Sequence, residues 1–297
     1  MVRDLLVTMR PRQWLKNGFV FIALFFDRQL DEPRSVIYAI AAFVLLCLMS
    51  GAVYIMNDLG DIENDRQHPR KQFRPLPSGR LSTRVAVIAV VLLAAGSLVA
   101  GLLLSPTFGL ILLLYLLTQI AYTFWLKRLV LIDVFIVATG FILRIAAGVA
   151  VLEPVQQVQR FSPWLYVFGG FLALFLALGK RRHELVLLGA EAGNHRAILR
   201  EYNLDLLDKL IGIVTTSTLV SYSLYTFLAE GLPPNNLMML TIPFVLYGLF
   251  RYLYLVHVRH EGGAPEEIAL RDRPLQAALI LWGLVVLVAL YIAPGAG

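Results

Sequence analysis

Residues 35–65 read SVIYAIAAFVLLCLMSGAVYIMNDLGDIEND, and the stretch from Ser35 to Met56 carries no charged side chain. At a rise of about 1.5 Å per residue, such a run crosses a hydrocarbon core of about 30 Å as one helix. It ends in Asn57-Asp58-Leu59-Gly60-Asp61-Ile62-Glu63-Asn64-Asp65. On a continued helix, Asn57, Asp58, Asp61 and Asp65 fall within about 100° of arc, so four oxygen side chains share one face. Like charges four residues apart repel by ~0.2–0.5 kcal/mol, and desolvation at a membrane edge adds to that cost. A cation neutralises such a cluster. With no Cys or His beside them, these oxygens suit Mg²⁺, which keeps some of its waters and bridges carboxylates to phosphates. A solvated acidic loop would account for the composition but not for the regular spacing.

The same pattern recurs along the chain. Of 297 residues, 58% are hydrophobic and only 15% are charged, and the mean hydropathy is +0.72. Soluble domains are nearer half apolar and a quarter charged, so the composition points to an all-α polytopic membrane protein. Apolar runs predict nine transmembrane helices, near residues 14–30, 35–57, 84–104, 107–126, 129–152, 163–180, 209–229, 237–257 and 274–293. They are expected to form a single domain over residues 1–297. Met1-Val2-Arg3-Asp4 does not open a secretory signal, so internal spans are expected to direct insertion. Cys47 is the single cysteine, which excludes a disulfide within the chain, and the five histidines form no zinc-binding arrangement.

Basic residues set the predicted orientation. The N-terminus, the loop from Arg66 to Arg84, Lys127-Arg128, the stretch from Lys180 to Lys209, and Arg259, Arg271 and Arg273 hold most of the 26 Lys and Arg. Arg28, Arg34 and Arg160 fall on the opposite side. The positive-inside rule then places the N-terminus and the charged loops in the cytoplasm, in a cell inner (plasma) membrane. The net charge of +6 is explained by topology and anionic headgroups, so no nucleic-acid partner is expected.

Two arginines, Arg144 and Arg251, fall inside predicted spans, where an isolated charge costs roughly 2.5–3.5 kcal/mol on insertion scales. For Arg251, snorkelling or a structural hydrogen bond is as good an account as a functional role. Arg144 shares a helical face with Asp133, Gly140 and Gly148, which suits a polar seam turned into the bundle.

The loops that follow the spans offer phosphate ligands. Lys71 and Arg74 come soon after the carboxylates and can fork onto phosphate oxygens, whereas Arg66, Arg70 and Arg84 are assigned to topology. After the sixth span comes Gly179-Lys180-Arg181-Arg182-His183-Glu184-Leu185. Three consecutive cations cannot all face one way on a helix, and Glu184 is spaced to pair with Lys180. The segment from Gly189 to Asp208 reads as a short helix or lid. Tyr122 shares a face with Tyr115 and Gln119 just before Lys127, which fits an interfacial anchor or a pocket lining equally.

Asn57-Asp58-x-x-Asp61-x-x-x-Asp65, Arg74-Pro75-x-x-x-Gly79, Tyr122-x-x-x-x-Lys127 and the opening Arg10-Pro11-Arg12-Gln13-Trp14-Leu15-Lys16-Asn17 together resemble the UbiA superfamily of intramembrane prenyltransferases. The resemblance covers nearly the whole chain. It implies a bundle of nine helices around a lipid-open cavity, capped by cytoplasmic loops whose aspartates bind Mg²⁺ and a diphosphate. One departure is informative. Where ordinary members carry a second aspartate-rich motif, this chain has the basic stretch around Lys180. That substitution is similar to the branch that makes decaprenylphosphoryl-5-phosphoribose, as is the stretch Pro265 to Arg273.

The resemblance therefore implies an Mg²⁺-dependent transfer of phosphoribosyl from phosphoribosyl pyrophosphate to a polyprenyl (decaprenyl) phosphate, for a cell-envelope polysaccharide precursor. Asp58, Asp61 and Asp65 are the expected catalytic residues, with Asn57 completing the metal set. Lys16, Asn17, Lys71, Arg74, Tyr122, Lys127, Arg144, Lys180, Arg181 and Glu184 are the expected substrate contacts. The lipid phosphate and the bilayer are the other partners, and self-association is left open. A prenyltransferase acting on an aromatic or other small acceptor is the rival within the same family. A transporter would instead show helices broken in mid-membrane.

Overall fold

The computed structural model describes residues 1–69, 71–155, 162–188, 197–263 and 265–293, all of the regular structure being helical among them. Arg70 and Arg160 lie outside the described residues, as does the part of the expected lid before Ala197. Among the described residues, eight helices are long and apolar enough to cross a membrane: Pro33–Gly60, Thr83–Leu104, Pro106–Phe124, Ile132–Leu152, Pro163–Leu188, Leu204–Leu228, Leu237–His257 and Arg273–Ile292. They match eight of the nine predicted spans.

The predicted first span does not form as one helix. Residues Pro11–Val20 make a 3-10 helix and Phe21–Phe26 a separate short α-helix. Lys16, Asn17 and Gly18 interrupt the apolar run, and Asn17 is buried in a polar network described below. Preceding them, Val2–Thr8 forms the first helix of the chain.

The chain divides into two compact units that interleave along the sequence: residues 1–25, 29–126 and 143–158 form the first, and 26–28, 127–142 and 159–297 the second. In the first unit, Pro33–Gly60 packs on Thr83–Leu104, which packs in turn on Pro106–Phe124. The last two helices are joined by Ser105 alone. Its side chain accepts from Phe108 N–H and donates to the Ala150 carbonyl at 2.8 Å, and Pro106 begins the next helix where its missing N–H costs nothing. Helices come this close because of glycine. A Cβ on Gly109 would stand 2.8 Å from the Leu102 backbone, and one on Gly148 2.1 Å from the Val20 carbonyl oxygen. Small residues give such close approach in lipid, where apolar burial alone does not drive helices together. At one end of this unit, Met9, Ile55, Leu76, Leu81, Ala86 and Ala89 form a compact cluster beneath the loop that follows the aspartates.

In the second unit, Pro163–Leu188 packs along Leu204–Leu228, and Ile242–His257 packs on Arg273–Leu287. Asn203 and Asp272 cap two of these helices, each accepting from the backbone N–H three residues on. Their core includes Val134, Phe175, Leu178, Ile198, Tyr202, Leu207 and Tyr252. Arg251 is held by Asp272 through two hydrogen bonds of 3.1 and 2.9 Å and stacks over Tyr254, so its place in the span is structural.

Candidate functional site

The aspartate segment is almost one continuous helix. Pro33–Gly60 ends at Asp61 (φ −107, ψ 8), and Ile62–Gln67 begins at once. Backbone bonds from Asp61 N–H to Asn57 and from Asp65 N–H to Asp61 carry the α-helical ladder across the join. Asp58 and Asp65 therefore stay on one side, and both are buried. Arg74 sits between them, its Nη1 at 3.3 Å from Asp58 Oδ1 and 2.8 Å from Asp65 Oδ2. Lys71 Nζ is 3.4 Å from the other oxygen of Asp65.

The loop reaches back because Pro75, Leu76 and Pro77 are buried and Gly79 takes φ +77 at the turn. Arg66, by contrast, is exposed and pairs with Glu63.

Four convergent metal ligands are expected here. Asn57 is turned to accept a hydrogen bond from Thr123, and Asp61 stands at the helix junction. Among the described residues no three His, Cys, Asp or Glu side chains gather as an ion site. The physical reason is charge: with Arg10, Arg74 and Lys71 at hand, the carboxylates close on cations of the chain itself. The donors nonetheless fit Mg²⁺ in kind, being hard oxygens on successive turns.

Arg10 belongs to this cluster and was not among the expected contacts. Its Nη2 lies 2.5 Å from Asp58 Oδ1, and its guanidinium stacks 5.0 Å from the Tyr54 ring centroid. The backbone of Arg10 is left-handed (φ 54, ψ 65), immediately before Pro11. That conformation costs a non-glycine residue ~1–3 kcal/mol and is kept only where surrounding contacts over-determine it. Thr123 was also missed; it bonds to both Asn57 and the Gln119 carbonyl. An Arg before a proline is a faint signal for the first, and nothing in the sequence marks the second.

Deeper in the same unit, Arg144 donates from Nε to Asn17 Oδ1 (2.8 Å) and from Nη2 to the Tyr115 hydroxyl (3.0 Å). Asn17 in turn donates to Ser50 Oγ and Cys47 Sγ. Both Arg144 and Asn17 are buried. Helix Pro33–Gly60, the 3-10 helix and the helices of Tyr115 and Arg144 are thus pinned together by polar groups. Arg144 and Asp133, predicted to share one seam, enter separate networks. Lys16 and Tyr122 are half-buried.

In the second unit the basic run splits three ways, as helical geometry requires. Lys180 is exposed, Arg181 is buried and Arg182 bonds Asp208 at 2.6 Å. Arg181, expected on a substrate anion, instead bonds Asp133 through Nε and Glu184 through Nη1, each at 2.8 Å. Glu184 therefore meets Arg181 rather than Lys180, because Asp133, with no exposed surface, draws the guanidinium inward. Tyr202 closes the set: its hydroxyl donates to Asp133 at 2.7 Å. Burial, then that bond, hold its phenol above the usual tyrosine range. Lys127, half-buried, lies on the short 3-10 turn Leu126–Arg128.

A membrane-embedded helical transferase of the aspartate-motif type is the class these features define. Residues 18–262 match the model of the UbiA prenyltransferase family, and the chain belongs to that family. It is 33% identical over 287 residues to a decaprenyl-phosphate phosphoribosyltransferase of Mycobacterium tuberculosis, covering 95% of this chain and 92% of that protein. It is 34% identical to the Mycolicibacterium smegmatis protein of the same name, covering 95% and 91%. A solved UbiA homologue from Archaeoglobus fulgidus, bound to DMAPP and Mg²⁺, shares the fold with a TM-score of 0.72 at 18% identity, covering 97% of this chain and all of that one.

Proposed function

We propose that this protein transfers the phosphoribosyl group of phosphoribosyl pyrophosphate to a polyprenyl phosphate such as decaprenyl phosphate, releasing pyrophosphate. The observation that carries the reading is the placement of Lys71 and Arg74 on the buried pair Asp58 and Asp65, a charge-paired cradle suited to a diphosphate. The names of the mycobacterial relatives, at 33–34% identity across nearly the full chain, support the choice of substrates.

Asp58, Asp61 and Asp65, with Asn57, would hold Mg²⁺, which when bound neutralises charge on the departing pyrophosphate. Lys71, Arg74 and Arg10 contribute donors to the pyrophosphate oxygens once they leave the carboxylates. Lys16, Tyr122, Lys127 and Lys180 are assigned to the remaining anionic groups of the two substrates. Asn17, Arg144, Arg181 and Glu184 act by holding helices in register.

The attacking oxygen belongs to the lipid phosphate, already anionic at pH 7, so no protein base is required. Catalysis then rests on alignment and on stabilising charge as it shifts to the leaving group. In-line attack implies inversion at the anomeric carbon. On this reading the charged loops face the cytoplasm, where phosphoribosyl pyrophosphate would enter.

The test is a paired incubation of purified protein with Mg²⁺. One arm holds labelled phosphoribosyl pyrophosphate and polyprenyl phosphate; the other holds labelled prenyl diphosphate and an aromatic acid. Label in a lipid in the first arm, lost in Asp61→Ala, is the expected result. Product in the second arm alone would replace the proposal with prenyl transfer.

A further inference from the structure

The chain enters helix Ile132–Leu152 through a strained turn. Leu131 has φ +67, and Ile132 N–H donates to the Val130 carbonyl at 2.8 Å. Positive φ under an i to i+2 hydrogen bond is the rare, strained form of γ-turn, and leucine has no intrinsic preference for it. Tyr202 holds it there. The Tyr202 hydroxyl accepts from Leu131 N–H at 2.8 Å and donates to Asp133 Oδ1 at 2.7 Å. Asp133 is fixed in turn by Arg181 on its second oxygen. Tyr202 is itself anchored, since Ile198, Leu199 and its own ring are buried. One hydroxyl thus ties the turn to a buried ion pair. Lys127 lies four residues before Leu131, and Asp133 N–H reaches back to the Leu129 carbonyl at 3.1 Å. A change in the turn must move the backbone that carries Lys127.

We propose that Tyr202 is a positioning residue for Lys127, keeping the 127–131 segment in the strained conformation that presents the lysine to a substrate phosphate. The proposal rests on the assignment of Lys127 made above. Tyr202→Phe removes a single oxygen and keeps the packed ring. It should raise KM for phosphoribosyl pyrophosphate or for the lipid phosphate about tenfold, with kcat changed by less than about threefold. In a Lys127→Ala background the same substitution should change neither constant. Glycine adopts positive φ without strain, so Leu131→Gly added to Tyr202→Phe should bring KM back to within about threefold of wild type, whereas Leu131→Ala should not.

An unchanged KM in Tyr202→Phe, an equal effect with and without Lys127, or no rescue by glycine would each overturn the proposal. Deuterium uptake across residues 127–135 gives an arm that needs no turnover. Uptake there should rise in Tyr202→Phe, and unaltered uptake would equally overturn it. Wild-type protein inactive with these substrates would instead remove the proposed function, leaving the uptake arm to decide whether Tyr202 holds the turn.

Discussion

Arg74 bridges Asp58 and Asp65 with one guanidinium nitrogen, at 3.3 and 2.8 Å, although the two carboxylates are seven residues apart and on different helices. The arrangement makes the loop cation a stand-in for positive charge that the carboxylates need in any state of the enzyme. The proposed function then implies an exchange in which Arg74 moves from carboxylate to phosphate.

Removing Arg74 should expose that exchange. Arg74→Ala leaves two buried carboxylates close together, and its thermal midpoint in detergent should fall below that of wild type. Added MgCl₂ should raise the midpoint of the variant more than that of wild type, because ligand binding to the folded state alone stabilises it. Differential scanning with and without Mg²⁺ makes the comparison. An equal rise in both proteins would count against cation binding by Asp58 and Asp65.

Lys180 and Arg181 are neighbours with opposite fates, and their substitutions should separate. Lys180→Ala, at an exposed position, should alter stability by no more than about 0.5 kcal/mol while weakening substrate use. Arg181→Met strands the buried Asp133 and should cost ~3–5 kcal/mol. Midpoints and steady-state kinetics on both variants decide it. If Arg181→Met is as stable as wild type, the buried pair does not hold the fold.

The Arg144–Asn17 contact predicts non-additivity. Arg144→Met removes donors from Asn17 Oδ1 and the Tyr115 hydroxyl, at a cost of ~1–3 kcal/mol for groups left unsatisfied. Asn17→Leu alone should cost a similar amount. The double variant should lose less than the two single losses combined, since both polar ends are then gone. Midpoint shifts that simply add would show the pair to be energetically independent.

Asp272 should give stability an acid-side dependence. Its hydrogen bonds to Arg251, then its cap bond to Leu275 N–H, hold the carboxyl below the usual range. A depressed folded value stabilises above the unfolded pKa of ~3.9 and the contribution is lost as pH falls through the folded value. Wild type should therefore lose stability below about pH 4 more steeply than Asp272→Asn. Asp272→Ala should lose ~1 kcal/mol through the missing cap at neutral pH. Parallel pH profiles for wild type and Asp272→Asn would exclude the carboxyl as a source.

Eight spans were legible because an uncharged run of sufficient length has one stable solution in lipid, a helix that satisfies its own backbone. The remaining one, the first in the chain, failed where Lys16, Asn17 and Gly18 broke the run. In the candidate site, the neighbours of the aspartates in sequence, Lys71 and Arg74, were readable as partners because a proline-rich loop returns them nearby. Arg10 and Thr123 were not, being brought from far along the chain.

Sequence by itself therefore determined the membrane class, the helix count to within one, the family and the acidic motif, since hydrophobic length and local spacing are properties of adjacent residues. Tertiary structure decided which charged group meets which. Arg181 turns inward to Asp133, Arg144 to Asn17, and Tyr202 seizes the backbone of Leu131, because a buried charge or donor takes whatever partner packing brings within about 3 Å, regardless of its distance in the chain.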